Sequence, residues 1–236
     1  TGEIDLAAST IQSYKIFYET SGTCPNSSTF DLAVTAAGVA NNFSMSFDGT
    51  DDYIDVGTLD FFNASATDFT ISLWVKPTSR DLGVVFSTAS SFSLNIYIYY
   101  AKSSLKNRFE YGIRGSGGQN TVPSPVTNAT DVPPNVWYHV TLTSEGTTAK
   151  FYLNGSLLHT GTSGTTYSAS GNSVKIGKWY AVNYEFTGNI DEVAVWNKAL
   201  TATQVQSIYD ATDTNLTKDL STIESSNLKY WNRMGD

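Results

Sequence analysis

The chain has 236 residues, of which 40% are hydrophobic and only 15% are charged, and its formal net charge is −8. This acidic balance excludes the basic face that nucleic-acid-binding proteins present, and no window approaches the ~18 uninterrupted apolar residues that predict a membrane span. One large all-β domain with a substantial core fits this length and composition.

Strand signals recur along the chain, and the clearest lies at residues 68–76. Apolar residues occupy every second position from Phe69 to Val75, and Pro77 ends the run. Asn154-Gly155 predicts a two-residue hairpin, because both turn positions need a positive φ. Such strands, joined by polar turns, favour a sandwich of two antiparallel sheets. Further strands are predicted at residues 83–87, 92–100, 108–114, 137–143, 149–153, 156–159, 173–178 and 189–196.

One helix is predicted at residues 202–209. Thr201 and Gln204 have the spacing of a capping box, in which each side chain bonds to the other residue's backbone amide. Leu200 and Val205 flank this box and predict a hydrophobic staple. Before the helix, the long loop at residues 115–134 has little periodicity, and its unusual length makes it a functional candidate.

Two stretches combine short apolar strands with turns rich in Gly and Asp, at residues 46–56 and 186–196. With the motifs between them, in this order, they resemble the laminin-G-like, concanavalin-A-like jelly roll over roughly residues 11–210. The resemblance implies an all-β, two-sheet antiparallel jelly-roll sandwich with one short C-terminal helix. The motifs are Phe47-Asp48-Gly49, Asp52-Tyr53-Ile54, residues 69–77, 135–140, 151–155 and 175–177, and the strand at 188–196 followed by the helix.

The end of the chain repeats a pattern from its beginning. Residues 227–232, like residues 13–18, place a lysine after an apolar residue and follow it with aromatics. In laminin-G-like arrays a domain's first strand has this pattern. The resemblance therefore implies a domain at residues 1–212, then a linker and strand at 213–236 that begins another repeat or pairs with a neighbouring subunit through Leu228, Tyr230 and Trp231. The alternative is a C-terminal strand that completes its own sheet.

Clustered carboxylates make Asp48, Asp51, Asp52 and Asp191 the metal candidates. In similar domains a structural Ca²⁺ lies where the Phe-Asp-Gly turn meets the Gly-x-Ile-Asp strand, and Ca²⁺ takes six to eight oxygen ligands. The resemblance thus implies a Ca²⁺ cofactor. The alternative is that Asp48 and Asp191 only brace their turns by accepting backbone N–H groups.

Catalysis is not predicted. A glycoside hydrolase needs two well-placed carboxylates, and the Glu-x-Asp-x-x-Glu run of related glucanases is missing. Asp191 and Glu192 are adjacent, so in a regular strand their side chains point to opposite faces. His139 and His159 lie on different predicted strands and suggest no Ser/His/Asp set.

Aromatic residues in one loop are the candidates for stacking on sugar rings. Trp179, Tyr180 and Tyr184 lie between two late strands, where binding rims of the resembled family lie. A second group, Tyr97, Tyr99 and Tyr100, is predicted to crowd another edge. For Trp74 and Trp196 the sandwich core is the preferred placement.

Six Asn-x-Ser/Thr sequons occur, but a chain this rich in Asn, Ser and Thr contains several by chance. Asn154 is also explained by its turn. If the source glycosylates, the candidate sites on turns and loops are Asn26, Asn42, Asn63, Asn128 and Asn215.

Together these features predict a non-enzymatic structural or adhesion module on the cell surface or virion surface. It would bind glycans or other copies of itself in a tandem array, fibre or filament, including a homopolymer. The rival hypothesis is a carbohydrate-binding module of a secreted polysaccharide-degrading enzyme. The polar but uncharged surface is typical of extracellular β proteins, and the single Cys24 cannot form an intrachain disulfide.

Overall fold

The computed structural model describes residues 12–19, 27–34, 39–63, 68–79, 82–88, 96–102, 107–113, 132–162, 173–179, 184–210 and 216–234. Antiparallel strands dominate this part of the chain. They are β1 (Gln12–Glu19), β2 (Ser27–Val34), β3 (Val39–Ala40), β4 (Met45–Asp48), β5 (Ile54–Gly57), β6 (Phe69–Pro77), β7 (Gly83–Thr88), β8 (Ile96–Lys102), β9 (Asn107–Ile113), β10 (Tyr138–Glu145), β11 (Thr148–Leu153), β12 (Ser156–Thr162), β13 (Val174–Ile176), β14 (Thr187–Trp196), β15 (Leu216–Thr217) and β16 (Leu228–Asn232).

Two large sheets form the sandwich. The larger sheet has seven strands in the order β12-β11-β10-β6-β14-β16, with β4 also paired to β14, and the smaller has five in the order β5-β13-β7-β8-β9. Two separate pairs, β1 with β2 and β3 with β15, complete the described strands. All these pairings are antiparallel, which confirms the predicted two-sheet jelly roll.

The main core lies between the two sheets, because alternate residues of each strand point inward. Ile71 and Leu73 of β6 are fully buried there, opposite Phe86 of β7 and Ile98 of β8. The period-two pattern of residues 68–76 therefore faces the core as predicted.

One helix, α1 (Ala202–Asp210), packs on the outer face of the larger sheet with a second apolar cluster. Trp196 belongs to this cluster rather than to the main core, and its Nε1 donates to the Ile223 carbonyl at 2.8 Å. Two short 3₁₀ helices, Asp60–Asn63 and Leu220–Thr222, are also present. In the residues described above, no helix has the length and apolar character to cross a membrane.

Two predictions made from local sequence, the capping box of α1 and the hairpin turn at Asn154-Gly155, are confirmed. The Thr201 amide donates to Gln204 Oε1 at 2.9 Å and the Gln204 amide donates to Thr201 Oγ1 at 3.2 Å, which is a capping box. Asn154 and Gly155 have φ values of 50° and 75° and join β11 to β12. Local signals of this kind need no tertiary context, which is why the sequence reveals them.

The structure places the C-terminal strand in its own domain, whereas the sequence resemblance favoured pairing with a neighbouring subunit. β16 pairs with β14 of its own sheet, with Ala194 opposite Trp231 and Val195 opposite Tyr230. Leu228 and Trp231 pack against the second apolar cluster. The segment therefore completes its own sandwich, the alternative placement, because burying its aromatic and aliphatic side chains within the domain is already favourable. Its contact with further copies stays a prediction.

Several predicted features lie outside the described residues. They are Cys24, residues 115–131 of the long loop, Tyr180, and the sequon residues Asn26, Asn128 and Asn215. Of the remaining sequon residues, Asn42 is exposed and Asn63 ends a short 3₁₀ helix.

Candidate functional site

Four aromatic side chains meet on the outer face of the smaller sheet. Tyr97 and Tyr99 lie on β8, and the intervening Ile98 is fully buried in the core. Because side chains alternate along a strand, the two tyrosines share the opposite face. Trp179 follows β13 and Tyr184 precedes β14, so the loop joining these strands brings both to the same place.

The four rings line part of a cavity of about 210 Å³. The ring centroids of Tyr97 and Tyr99 are 5.3 Å apart, those of Tyr97 and Trp179 are 5.2 Å apart, and those of Trp179 and Tyr184 are 5.8 Å apart. Tyr184 is 40% exposed, so the cluster reaches the surface. The lining residues are Leu82, Val84, Tyr97, Tyr99, Trp179 and Tyr184.

A glycine on the neighbouring strand makes room for this cluster. Gly112 of β9 is the register partner of Tyr97. A Cβ at Gly112 would lie 2.3 Å from Cζ of Tyr97. Glycine is therefore needed for the tyrosine ring to lie across β9.

One ring that lines the cavity carries a buried hydrogen-bond donor without a partner among the residues that the structure describes. Nε1 of Trp179 is buried and has no partner among the residues that the structure describes. Buried polar atoms in native proteins are nearly always hydrogen-bonded. An oxygen atom of a ligand would satisfy this donor if a rotation of the indole ring turned Nε1, which is closed to solvent, toward the cavity.

A charged pair holds one tyrosine of the cavity. The Tyr99 hydroxyl donates to one carboxylate oxygen of Glu110, and Arg108 Nε donates to the other. Burial raises the pKa of Tyr99, and the hydrogen bond to Glu110 raises this pKa further. The hydroxyl thus stays protonated as a donor to Glu110, and its oxygen retains a lone pair for a ligand hydroxyl.

Two more ion pairs involve lysines of β13 and of the loop that follows it. Lys178 Nζ is 3.4 Å from Glu185 Oε1, and Lys175 Nζ is 2.7 Å from Asp55 Oδ2. Both ammonium groups also lie over the ring of Tyr53, at 4.7 Å and 5.0 Å from its centroid. The hydrogen bond from Lys175 is the main reason why the pKa of Asp55 falls to about 2.

Three of the four predicted metal ligands come together on the exposed turn after β4. Carboxylate oxygens of Asp48, Asp51 and Asp52 lie within 4.8 Å of one another. Two oxygens also brace the turn, because Asp48 Oδ1 accepts the Thr50 amide at 2.7 Å and Asp52 Oδ2 accepts the Asp48 amide at 3.0 Å. Turn bracing, one of the two roles that the sequence left as alternatives for Asp48, is therefore present, while a metal ion at these oxygens stays a prediction.

Asp191 lies apart from this group, in a β-bulge that overturns the expectation of opposite faces for Asp191 and Glu192. The register between β14 and β6 shifts between Asp191 and Ala194, and Glu192 has a φ of 49°. The side-chain amide of Asn41 donates from Nδ2 to Asp191 Oδ2 at 2.9 Å and to Glu192 Oε1 at 3.0 Å, so both carboxylates reach the same partner. Asp191 also accepts the Glu192 amide at 2.8 Å, which is the bracing role.

The side chain of Glu192 on β14 bonds to residues of the C-terminal segment. It is 3% exposed, accepts Trp231 Nε1 at 2.5 Å and lies 3.4 Å from Arg233 Nε. This cluster could not be predicted from the sequence, because its members come from three distant segments of the chain.

The two histidines lie on different strands, β10 and β12, as predicted. His139 Nε2 is 2.8 Å from Ser72 Oγ, and His159 Nδ1 is 2.9 Å from the Tyr111 hydroxyl. Each imidazole bonds to a hydroxyl in a separate part of the sandwich. Burial lowers the pKa of His139 to about 3, so this ring is neutral at ordinary pH.

A laminin-G-type family model, described as the concanavalin A-like lectin/glucanases superfamily, matches residues 48–206. The chain belongs to this superfamily. The match includes most strands of both sheets, the acidic turn and the residues that line the aromatic cavity, and it confirms the resemblance that the sequence motifs indicated.

Three solved structures illustrate the similarity of fold. A protein of Bacteroides ovatus ATCC 8483, for which carbohydrate binding has been proposed, is 17% identical with a TM-score of 0.60, over 98% of this chain and 63% of that one. The heptameric SAP-like pentraxin of Limulus polyphemus is 22% identical with a TM-score of 0.55, over 74% and 84%. The Ruminococcus gnavus IT-sialidase CBM40, bound to α2,3-sialyllactose, is 17% identical with a TM-score of 0.53, over 74% and 97%.

No curated protein sequence matches the chain. At these low identities the solved structures establish the jelly-roll fold alone.

The structure brings together Trp179 and Tyr184, which the sequence singled out, but it adds Tyr97 and Tyr99. Those two tyrosines were predicted to lie at another edge with Tyr100. Tyr100 instead points into the core, where its hydroxyl donates to the Val132 carbonyl at 2.6 Å. The alternation along β8 could have separated Tyr100 from the other two, but only the packed sheets show which loop covers them.

Proposed function

We propose that this chain is a non-catalytic, extracellular glycan-binding module whose binding site is the aromatic cavity of Tyr97, Tyr99, Trp179 and Tyr184. The observation that carries the proposal is the buried Nε1 of Trp179, which lacks a partner among the described residues on a ring that lines this cavity. Aromatic faces pack against the C–H groups of a sugar ring, and an unused N–H donor suits a sugar oxygen.

Two further findings support this function. The chain belongs to a lectin/glucanase superfamily, and similar structures include a CBM40 bound to α2,3-sialyllactose. The adjacent carboxylates of Asp191 and Glu192 are buried and hydrogen-bonded to Asn41, which leaves them poorly placed for acid–base catalysis on a glycan.

Replacement of Trp179 tests the site directly. Trp179→Ala removes both the stacking surface and the unused donor, so we expect glycan affinity to fall at least about tenfold, ~1.4 kcal/mol. The measurement is isothermal titration against soluble oligosaccharides chosen from a glycan array.

Trp137→Ala is the matched control, because Trp137 is 36% exposed and does not line the cavity. This variant should retain the affinity of the unaltered protein. The proposal fails if no glycan binds, or if both tryptophan variants lose affinity equally.

A Ca²⁺ ion at the acidic turn belongs to the same proposal. Asp48, Asp51 and Asp52 supply an all-oxygen donor set on one turn, as Ca²⁺ requires, and each carboxylate has two oxygens, so bracing the turn leaves ligand atoms available. The residues thus fit the ion. When bound there, Ca²⁺ would neutralise the repulsion among the three carboxylates and stiffen the turn.

Two hypotheses describe the larger assembly or protein in which this module occurs. In the first, which we favour, the module is repeated on a cell or virion surface in an array, fibre or filament and also binds copies of itself. In the second, it is the carbohydrate-binding module of a secreted polysaccharide-degrading enzyme. Negative-stain images of the native parent protein distinguish them, since fibres or virions favour the first and a catalytic domain beside this one favours the second.

A further inference from the structure

We infer that the aromatic cavity takes one ring of an uncharged sugar and discriminates against acidic sugars such as uronic acids. The inference rests on the proposed function and names the ligand class of the same site. It comes from how the charges around the cavity are paired.

In the described part of the chain, the two ion pairs next to the cavity residues each join a cation to a carboxylate of this chain. Arg108 pairs with Glu110, which also accepts the hydroxyl of the lining residue Tyr99. Lys178 and Glu185 pair at 3.4 Å, and they are the chain neighbours of the lining residues Trp179 and Tyr184.

These pairs are partly buried, so solvent screens them less than ordinary surface charges. The side chains of Lys178 and Glu185 are 20% and 8% exposed, and that of Glu110 is 15% exposed. A sugar carboxylate could bind a cation here only by competing with a carboxylate already in place. It would also meet the negative charge of Glu110 and Glu185, and breaking a partly buried pair is costly.

Among the lining residues that the structure describes, the polar groups that remain for a ligand are neutral. Nε1 of Trp179 is an unused donor, and the Tyr99 oxygen can accept a hydrogen bond while its proton bonds to Glu110. A hydroxyl group is both donor and acceptor, so sugar hydroxyls match this pair of groups without bringing a charge.

The cavity is also small. Its volume of about 210 Å³ is below the ~300–1,000 Å³ of sites that enclose drug-sized ligands. One sugar ring therefore fills it, and the rest of an oligosaccharide extends past the exposed ring of Tyr184.

Matched oligosaccharides test the charge preference. α-1,4-Linked galacto-oligosaccharides and oligogalacturonides of equal length differ mainly at C6, as do β-1,4-linked manno-oligosaccharides and oligomannuronates. Titration of the full chain should show a neutral member of at least one pair binding about tenfold or more tightly than its acidic counterpart, a difference of ~1.4 kcal/mol.

A charge variant sharpens the test. Glu185→Gln releases the Lys178 ammonium from its carboxylate partner. It should therefore raise the affinity for the acidic member of a pair and leave the affinity for the neutral member nearly unchanged. The ratio of neutral to acidic affinity should fall as a result. Glu145→Gln is the control, because Glu145 is exposed at the end of β10, in the other sheet.

The outcomes separate this inference from the proposed function. Equal or tighter binding of the acidic members, lost in Trp179→Ala, would overturn the neutral-sugar inference while glycan binding at the cavity stands. If no glycan binds, or if Trp179→Ala leaves the affinity for every bound glycan unchanged, the proposed function fails and the inference fails with it.

Discussion

At the scale of single residues, the outer face of the larger sheet contains a histidine that cannot easily take a proton. His139 is fully buried, and its ring lies 5.1 Å from that of Trp74 and 6.2 Å from that of Tyr209. Its Nε2 bonds to Ser72, while Nδ1 has no partner among the described residues. The facing groups are aromatic rings and the hydroxyls of Ser72 and Thr141, none of which stabilises an imidazolium ion.

This burial predicts a pH dependence of stability. Desolvation lowers the pKa of His139 to about 3 in the folded protein, against 6.5 ordinarily. Between these values the unfolded chain binds one more proton than the folded one, so stability rises with pH. The stabilisation is complete above the unfolded pKa and is lost as pH falls from about 6.5 towards 3, at up to roughly 1.4 kcal/mol per pH unit.

Urea unfolding between about pH 5 and 6.5 checks this, because few carboxylates titrate there. His139→Gln should unfold more easily at neutral pH and should show a shallower dependence in that window. If the variant retained the full slope, the pH dependence would come from other groups.

At the scale of elements, β16 is stabilised by side-chain contacts as well as by its backbone hydrogen bonds to β14. Leu228 and Trp231 pack on the second apolar cluster, Met234 is 1% exposed, and Trp231 also donates to Glu192. Removing the strand would leave a buried carboxylate with fewer partners and would expose the edge of β14.

Deletion of residues 227–236 should therefore destabilise the domain itself. Losing the burial of three large side chains costs roughly 4 kcal/mol or more, before the lost hydrogen bonds are counted. Urea denaturation of the truncated and intact chains measures this, with size-exclusion chromatography to report association. A truncated chain that melts normally but no longer associates would restore the view that the strand serves a neighbour.

A milder variant isolates the side-chain contact of this strand from its backbone pairing. Trp231→Phe keeps an aromatic ring but removes the Nε1 donor to Glu192, whereas Trp137→Phe alters an exposed tryptophan and serves as control. Together with the deletion, this pair shows whether the strand's contribution comes from its ladder or from the anchored tryptophan.

At the scale of the whole molecule, different groups of residues lie on the two outer faces of the sandwich. The helix and the C-terminal segment cover part of the larger sheet's outer face with the second apolar cluster. The smaller sheet's outer face carries the aromatic cavity and its ion pairs. The acidic turn follows β4, which pairs with the same β14 that carries the bulge.

A Ca²⁺ ion at this turn would stabilise the whole domain, because binding to the folded state alone raises stability by RT ln(1 + [L]/Kd). This amounts to ~2.7 kcal/mol at a hundred times Kd. Calorimetric melting with Ca²⁺ and with a chelator should show a higher Tm with the ion.

Asp51→Asn should remove most of that Ca²⁺-dependent difference while leaving the backbone bonds to Asp48 and Asp52 in place. Asp60→Asn, an exposed acid outside the cluster, is the control. An unchanged Tm at saturating Ca²⁺ would rule out a stabilising site at this turn.

The sequence by itself determined features that depend on residues near one another in the chain. The alternation at β6, the Asn154-Gly155 turn, the capping box of α1 and the ordered motifs of the jelly roll could all be predicted, because periodicity and turn chemistry are local. The clustering of Asp48, Asp51 and Asp52 belongs to the same class.

Only the tertiary structure decided which distant segments meet. It placed Tyr97 beside Trp179, put Asp191 and Glu192 in a bulge facing Asn41, and paired β16 with β14 rather than with a neighbour. Each outcome depends on strand register and on which loop covers which face. These are set by the burial of the whole core, since a shift of one residue in register would turn a strand's apolar side chains to the opposite face.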